Sequence, residues 1–131
     1  MNKSLAVNYL RKSQQFSRAM HEAMKKGDWD AVGLNAVHCA LSSNDAVLVA
    51  IRGIRSSSAR HADAAELLES RVKVPGVKAA TGQLKRLVAK KNLIEYEERM
   101  FRESEANDFR SLDNRVRPID RPALLPAGLA S

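Results

Sequence analysis

The sequence predicts an all-α chain: an antiparallel up-and-down bundle of four to five helices that pairs as a dimer. Three observations lead there. Ala, Leu, Lys, Arg and Glu are abundant while aromatics supply only 5% of residues, and no proline occurs before Pro75. Apolar residues recur at three- and four-residue intervals, the spacing of one helix face. The connections between these periodic stretches are short, which sets consecutive helices side by side and antiparallel. At 131 residues the chain is long enough for one core and too short for two.

The first helix runs from about Ser4 to Lys26, where Leu5, Tyr9, Phe16, Met20 and Ala23 recur with Lys, Arg and Gln between them. Gly27 stops it and Asp28 caps the next. That second helix, about Trp29 to Ile54, is apolar nearly all round, so its surplus face is expected to meet a second subunit. A shorter third helix covers about Ala59 to Val72, with Ala62, Ala65 and Leu68 inward, and Pro75-Gly76 breaks the pattern. The fourth extends from about Val77 to Arg102. Val77, Leu84, Leu87 and Val88 form its first stripe, Leu93, Tyr96 and Met100 continue a displaced one, and Gly82 lowers helicity without ending it. Ser104 caps a fifth helix reaching about Arg117, carried by Phe109, Leu112 and Val116. Pro118, Pro122 and Pro126 exclude regular structure beyond that point. The chain therefore divides into a helical domain over 1–117 and a flexible tail over 118–131.

A net charge of +7 favours an anionic partner, with RNA, DNA or a nucleotide as the natural classes. The single Cys39 sits in an apolar run, so no disulfide framework exists and a reducing cytoplasm fits best. Arg11, Lys12, Gln14 and Gln15 interrupt any signal-like apolar block. The stretch from Ala31 to Ile54 is apolar enough to raise a membrane question, but Asn35, His38, Ser42, Ser43, Asn44, Asp45 and Arg52 argue for a buried core helix. His21, His38, His61 and Cys39 show no ligand spacing, so neither a metal nor a cofactor is expected. The sequence also carries no Gly-rich phosphate loop and no serine-nucleophile elbow.

The chemistry concentrates in Arg52-Gly53-Ile54-Arg55-Ser56-Ser57-Ser58-Ala59-Arg60-His61. On one continuous helix Arg55 and His61 would point about 240° apart, too far to share a ligand. A bend at the serines removes that obstacle. With Ser58 as the next N-cap, backbone N–H groups, the helix dipole, a permanent cation and an imidazole converge, which outlines a phosphate site including Ser57 and Ser58. The plainer reading is a solvated turn with a good cap. Asp45 stands nearly three turns before Arg55, on the same face but about 15 Å away, so it is expected to reach Arg55 only across a two-fold axis. Its alternative is a buried carboxyl satisfied locally. His38 shares that face and connects through Ser42, unless it is a satisfied core histidine. Tyr96 either reaches the site from the fourth helix or is plain core. Lys78, Lys85, Arg86, Lys90, Lys91 and Arg99 offer a basic face, interleaved with Glu95, Glu97 and Glu98 as on a solvated surface.

The opening Tyr9-Leu10-Arg11-Lys12, the Gly27-Asp28-Trp29 turn, the long small-residue second helix and Arg55 followed after five residues by His61 together resemble the HEPN (higher eukaryotes and prokaryotes nucleotide-binding) domain family. Ala36-Val37-His38-Cys39-Ala40 with Asn44-Asp45-Ala46 looks like the second helix of its bacterial members, and Lys90-Lys91-Asn92-Leu93-Ile94-Glu95-Tyr96 looks like their fourth. The likeness covers about residues 4 to 117. It implies a helical bundle that dimerises and an Arg-x5-His pair that acts on nucleic acid.

Many members are metal-independent ribonucleases, so the resemblance gives Arg55 the scissile phosphate and His61 the proton transfers. Asp45, Tyr96, Ser57 and Ser58 are then candidate substrate contacts. Where catalytic members often carry Asn, Asp or His after the motif Arg, this chain has Ser56. Two readings follow: a homodimeric ribonuclease, toxin-like, with an antitoxin or nucleotidyltransferase partner; or a non-catalytic module that binds a nucleotide, RNA or a partner protein.

Overall fold

The computed structural model describes residues 5–55, 61–73, 76–95 and 99–116, with side chains at all of these except 61, 62, 93–95 and 113–116. The described residues form five helices and no strand: α1 (Ala6–Lys26), α2 (Trp29–Arg52), α3 (His61–Arg71), α4 (Val77–Glu95) and α5 (Glu103–Val116). The chain is all-α. The proposed tail over 118–131 lies outside the described residues.

α2 is the centre of the fold because every other helix packs on it, α1 most extensively. That explains its all-round apolar character without a second subunit. From Ala36 to Ala50 every residue is buried except His38 and Asp45, which are only partly covered. α2 is long and apolar enough to cross a membrane by length and composition, yet 72% of its most apolar window is buried inside the chain. The large apolar side chains left exposed among the described residues are Leu5, Leu34 and Met100.

The N-terminal half of α1 buries a seam one position away from the expected stripe, while Met20 and Ala23 are buried as expected. Ala6, Leu10, Ser13, Ser17, Met20 and Ala23 face inward, whereas Leu5 is exposed and Tyr9 and Phe16 are only partly covered. Small serines suit a close α1–α2 approach, and the Ser13 hydroxyl finds partners inside the interface: its Oγ lies 2.7 Å from Ser43 Oγ and 3.4 Å from Cys39 Sγ. Gly27 adopts the left-handed conformation at φ +74°. The Asp28 N–H then reaches the Ala23 carbonyl at 3.0 Å and the Gly27 N–H reaches that of Met24, closing the helix as a Schellman turn. Asp28 occupies the N-cap of α2 as expected, but its side chain makes no capping hydrogen bond.

α4 is shorter than the expected helix to Arg102. Its helical span ends at Glu95, and Arg99 to Arg102 are non-helical. The Arg99 guanidinium forks onto Glu105, with both N···O distances 2.8 Å, and Asp30 accepts the Phe101 N–H, so this segment is tied across to α5 and α2. Met100, expected on an inward stripe, is 74% exposed. The N-cap of α5 is not Ser104. The Ala106 N–H bonds the Arg102 carbonyl, and Glu105 reaches back to the Arg102 N–H at 2.8 Å, half of a capping box. Phe101 and Phe109 stack at 5.3 Å over Gly33, where a Cβ would come within 3.2 Å of Phe109. Lys85 pairs with Glu69 of α3 at 3.2 Å and Lys90 with Asp108 of α5 at 3.4 Å, so part of the basic face of α4 fastens its neighbours. Glu69 is held below the ordinary carboxylate range, chiefly by its hydrogen bond from Lys85.

Candidate functional site

Positions rise along α1 as they fall along α2. Phe16 meets His38 at 5.3 Å between ring centroids, Ser13 meets Ser43, and Tyr9 meets Arg55. The two helices are therefore antiparallel, and the solvent-side edge of their seam carries the polar groups that α2 does not bury.

Arg55 reaches this edge through a break in the helix. Gly53 takes φ +67° and its N–H bonds the Val49 carbonyl at 2.9 Å, ending α2 at Arg52. Ile54 and Arg55 are non-helical. The turned chain sets the Arg55 guanidinium 5.5 Å from the Tyr9 ring centroid, with Nη1 donating to the Tyr9 hydroxyl at 3.1 Å. Lys12, one turn along α1, holds its ammonium 5.4 Å from the same centroid.

Asp45 completes the cluster. Burial pushes its carboxyl from 3.8 up to about 6, against the opposing pull of the Arg55 and Lys12 cations. Arg55 is thus in electrostatic reach of Asp45 within one chain. The expected separation of nearly three turns assumed a helix continuous to Arg55, and Gly53 removes that geometry. The Arg55 charge acts on Asp45 within one chain, without a close ion pair between the two.

His61 opens α3, so Arg55 and His61 lie on separate elements, as the bend required. Asn44, fully buried on α2, donates Nδ2–H to the Ala64 carbonyl at 3.0 Å and fastens the start of α3 to the core. The His61 side chain, Ser57, Ser58 and Tyr96 lie outside the described residues. A groove of about 340 Å³ lined by Gly27, Trp29, Met100 and Phe101 sits at the other end of α2, away from Arg55. Among the described residues no group of three or more His, Cys, Asp or Glu is placed to hold a metal ion.

Tyr9 and Lys12 are the contributors that residue-by-residue reading missed. The apolar spacing puts Tyr9 on an inward stripe, whereas in the folded helix Ala6 and Leu10 take the buried positions and Tyr9 is only partly covered. The sequence signal was their i, i+3 spacing, which puts an aromatic and a cation on one face. A scan of protein-family models and searches of curated proteins and of solved structures found no match to this chain.

Proposed function

We propose that the protein is a HEPN-type, RNA-directed phosphate-binding protein that cleaves RNA without a metal ion, with Arg55 as the phosphate anchor and His61 as the proton-transfer group. The observation that carries this reading is how Arg55 is held. Among the described residues its hydrogen-bond partner is a phenol, not a carboxylate, and the exposed guanidinium has further N–H donors to offer an anion.

In such a reaction Arg55 neutralises the charge that builds on the phosphoryl oxygens as the RNA 2′-hydroxyl attacks. His61, whose imidazole can both accept and donate a proton, takes the hydroxyl proton or returns one to the departing 5′-oxygen. Asp45, at about 6, is a second group able to hold or release a proton near neutrality. Homodimerisation and an antitoxin or nucleotidyltransferase partner belong to this proposal through the family resemblance alone, since the other helices of the same chain already cover α2.

The test is cleavage of a labelled single-stranded RNA by the purified full chain in excess chelator. Activity that persists there and disappears in His61→Ala supports the reaction. Activity that survives His61→Ala, or needs added metal, overturns it. Ser56 favours a second reading, a non-catalytic module, which the same assay identifies as RNA binding that depends on Arg55 without cleavage.

A further inference from the structure

The cluster on the solvent edge of the α1–α2 seam sets two exposed cations over one ring. Lys12 and Arg55 both lie within 5.5 Å of the Tyr9 centroid. Two cations drawn to one ring repel each other, and the π face offsets only part of that cost. Both cations pull the Asp45 carboxyl pKa down, yet they do so from beyond ion-pair distance. Among the described residues neither lies within 4.0 Å of that carboxylate, and its burial outweighs both. Lys12 and Arg55 are both exposed, so a ligand reaches them from solvent. Tyr9 is partly covered, which steadies its hydroxyl as an acceptor.

We propose that Lys12, Tyr9 and Arg55 form a single phosphate-binding cluster in which Lys12 and Arg55 both contact the phosphate groups of one ligand and Tyr9 is the positioning residue that aims Arg55. The ligand carries phosphates in succession, as the backbone of single-stranded RNA does. This rests on the reading of Arg55 as a phosphate anchor and adds to it the α1 side of the site. Lys12 contributes as a point charge, while Arg55 contributes directional donors, so the two removals differ in character. The raised pKa of Asp45 adds a consequence: as its charge is lost below about pH 6 the cluster becomes more positive.

The experiment measures binding of a short fluorescein-labelled oligouridylate to the full chain at several salt concentrations, with metal-free ATP as a competitor. Lys12→Ala is expected to weaken RNA binding about fivefold and to reduce the salt slope by about 0.7, the loss of one backbone contact. Arg18→Ala, an exposed cation elsewhere on α1, is expected to change affinity less than Lys12→Ala. Tyr9→Phe keeps the ring and removes the hydroxyl; it is expected to weaken binding about threefold, and to do nothing further in an Arg55→Ala background.

Circular dichroism confirms that each variant is folded. If Arg55→Ala weakens binding while Lys12→Ala behaves like Arg18→Ala, this inference is overturned and the phosphate anchor survives. If Tyr9→Phe adds its full effect to Arg55→Ala, the positioning role is overturned. If Arg55→Ala has no effect, or the wild type binds neither probe, both readings fall. Competition by ATP that matches RNA affinity and depends equally on Lys12 would overturn RNA as the ligand and assign the site to a nucleotide.

Discussion

The Phe101 ring lies against the backbone of Gly33 so closely that a Cβ at residue 33 would fall inside 3.0 Å of two of its ring carbons. This approach sets the path of the α4–α5 connection: Phe101 enters over α2 and stacks on Phe109, and Asp30 accepts its N–H. A glycine in the middle of a helix costs about 1 kcal/mol of helix propensity, offset here by the aromatic pair it admits. Gly33→Ala is therefore expected to lower stability by about 1–3 kcal/mol despite the better helix former, because a packed ring must move. Urea unfolding of the single variant and of Gly33→Ala with Phe101→Leu checks this, the second substitution recovering part of the loss. An unchanged or higher midpoint for Gly33→Ala would show that the ring is not fixed there.

Asp45 makes stability depend on pH in an unusual direction. Its carboxyl pKa is raised from 3.8 to about 6 by burial, so the folded state holds a proton that the unfolded chain has released between those values. Stability contributed by this group is then greatest at low pH, falls as pH rises from 3.8 through about 6, and is level above. A shift of this size corresponds to at most about 3 kcal/mol. Asp45→Asn should raise the melting temperature at pH 7 and flatten the profile between pH 4 and 6. Superimposable profiles for the two proteins would place Asp45 in water.

Glu105 acts with the opposite sign. Hydrogen bonding from Arg99, then from the Arg102 backbone, holds its carboxyl down from 4.5 to about 2, so its contribution is present above about 4.5 and is lost as pH falls towards 2. Glu105→Gln removes the charged fork to Arg99 but keeps an oxygen that can accept the Arg102 N–H. A loss of about 1 kcal/mol at pH 7 is expected, appropriate to a partly exposed pair, and vanishing at pH 2. Chemical denaturation at the two pH values measures it; an equal loss at both would mean that charge is not what Glu105 supplies.

The sequence made the helices legible because their apolar spacing and their stops are local. Gly27 stops α1 in a way that depends only on neighbouring backbone. Three features were not legible. The α1 seam runs through Ser13 and Ser17, and the Ser13 partners Ser43 and Cys39 lie a helix away, where a hydrophobicity pattern passes over serines. Beyond α4, Arg99 is held by Glu105 six residues on, and Phe101 by Asp30, far away in sequence. Arg55 returns to Tyr9 and Asp45 because Gly53 is left-handed, which shifts a residue expected at the end of a straight helix. Arg55 and Asp45 were recognised as candidates from residue type; Tyr9 and Lys12 needed the register of α1 against α2.

The account turns on whether Arg55 anchors phosphate, and the salt dependence of RNA binding measures that most directly. Affinity for a short single-stranded RNA is read at several salt concentrations for wild type, Arg55→Ala and Arg55→Lys. Arg55→Ala should weaken binding about tenfold and reduce the log–log salt slope by about 0.7, while Arg55→Lys restores the slope but not the full affinity, since a point charge lacks the fork of donors. Equal affinity and equal slope in Arg55→Ala and wild type would contradict the account.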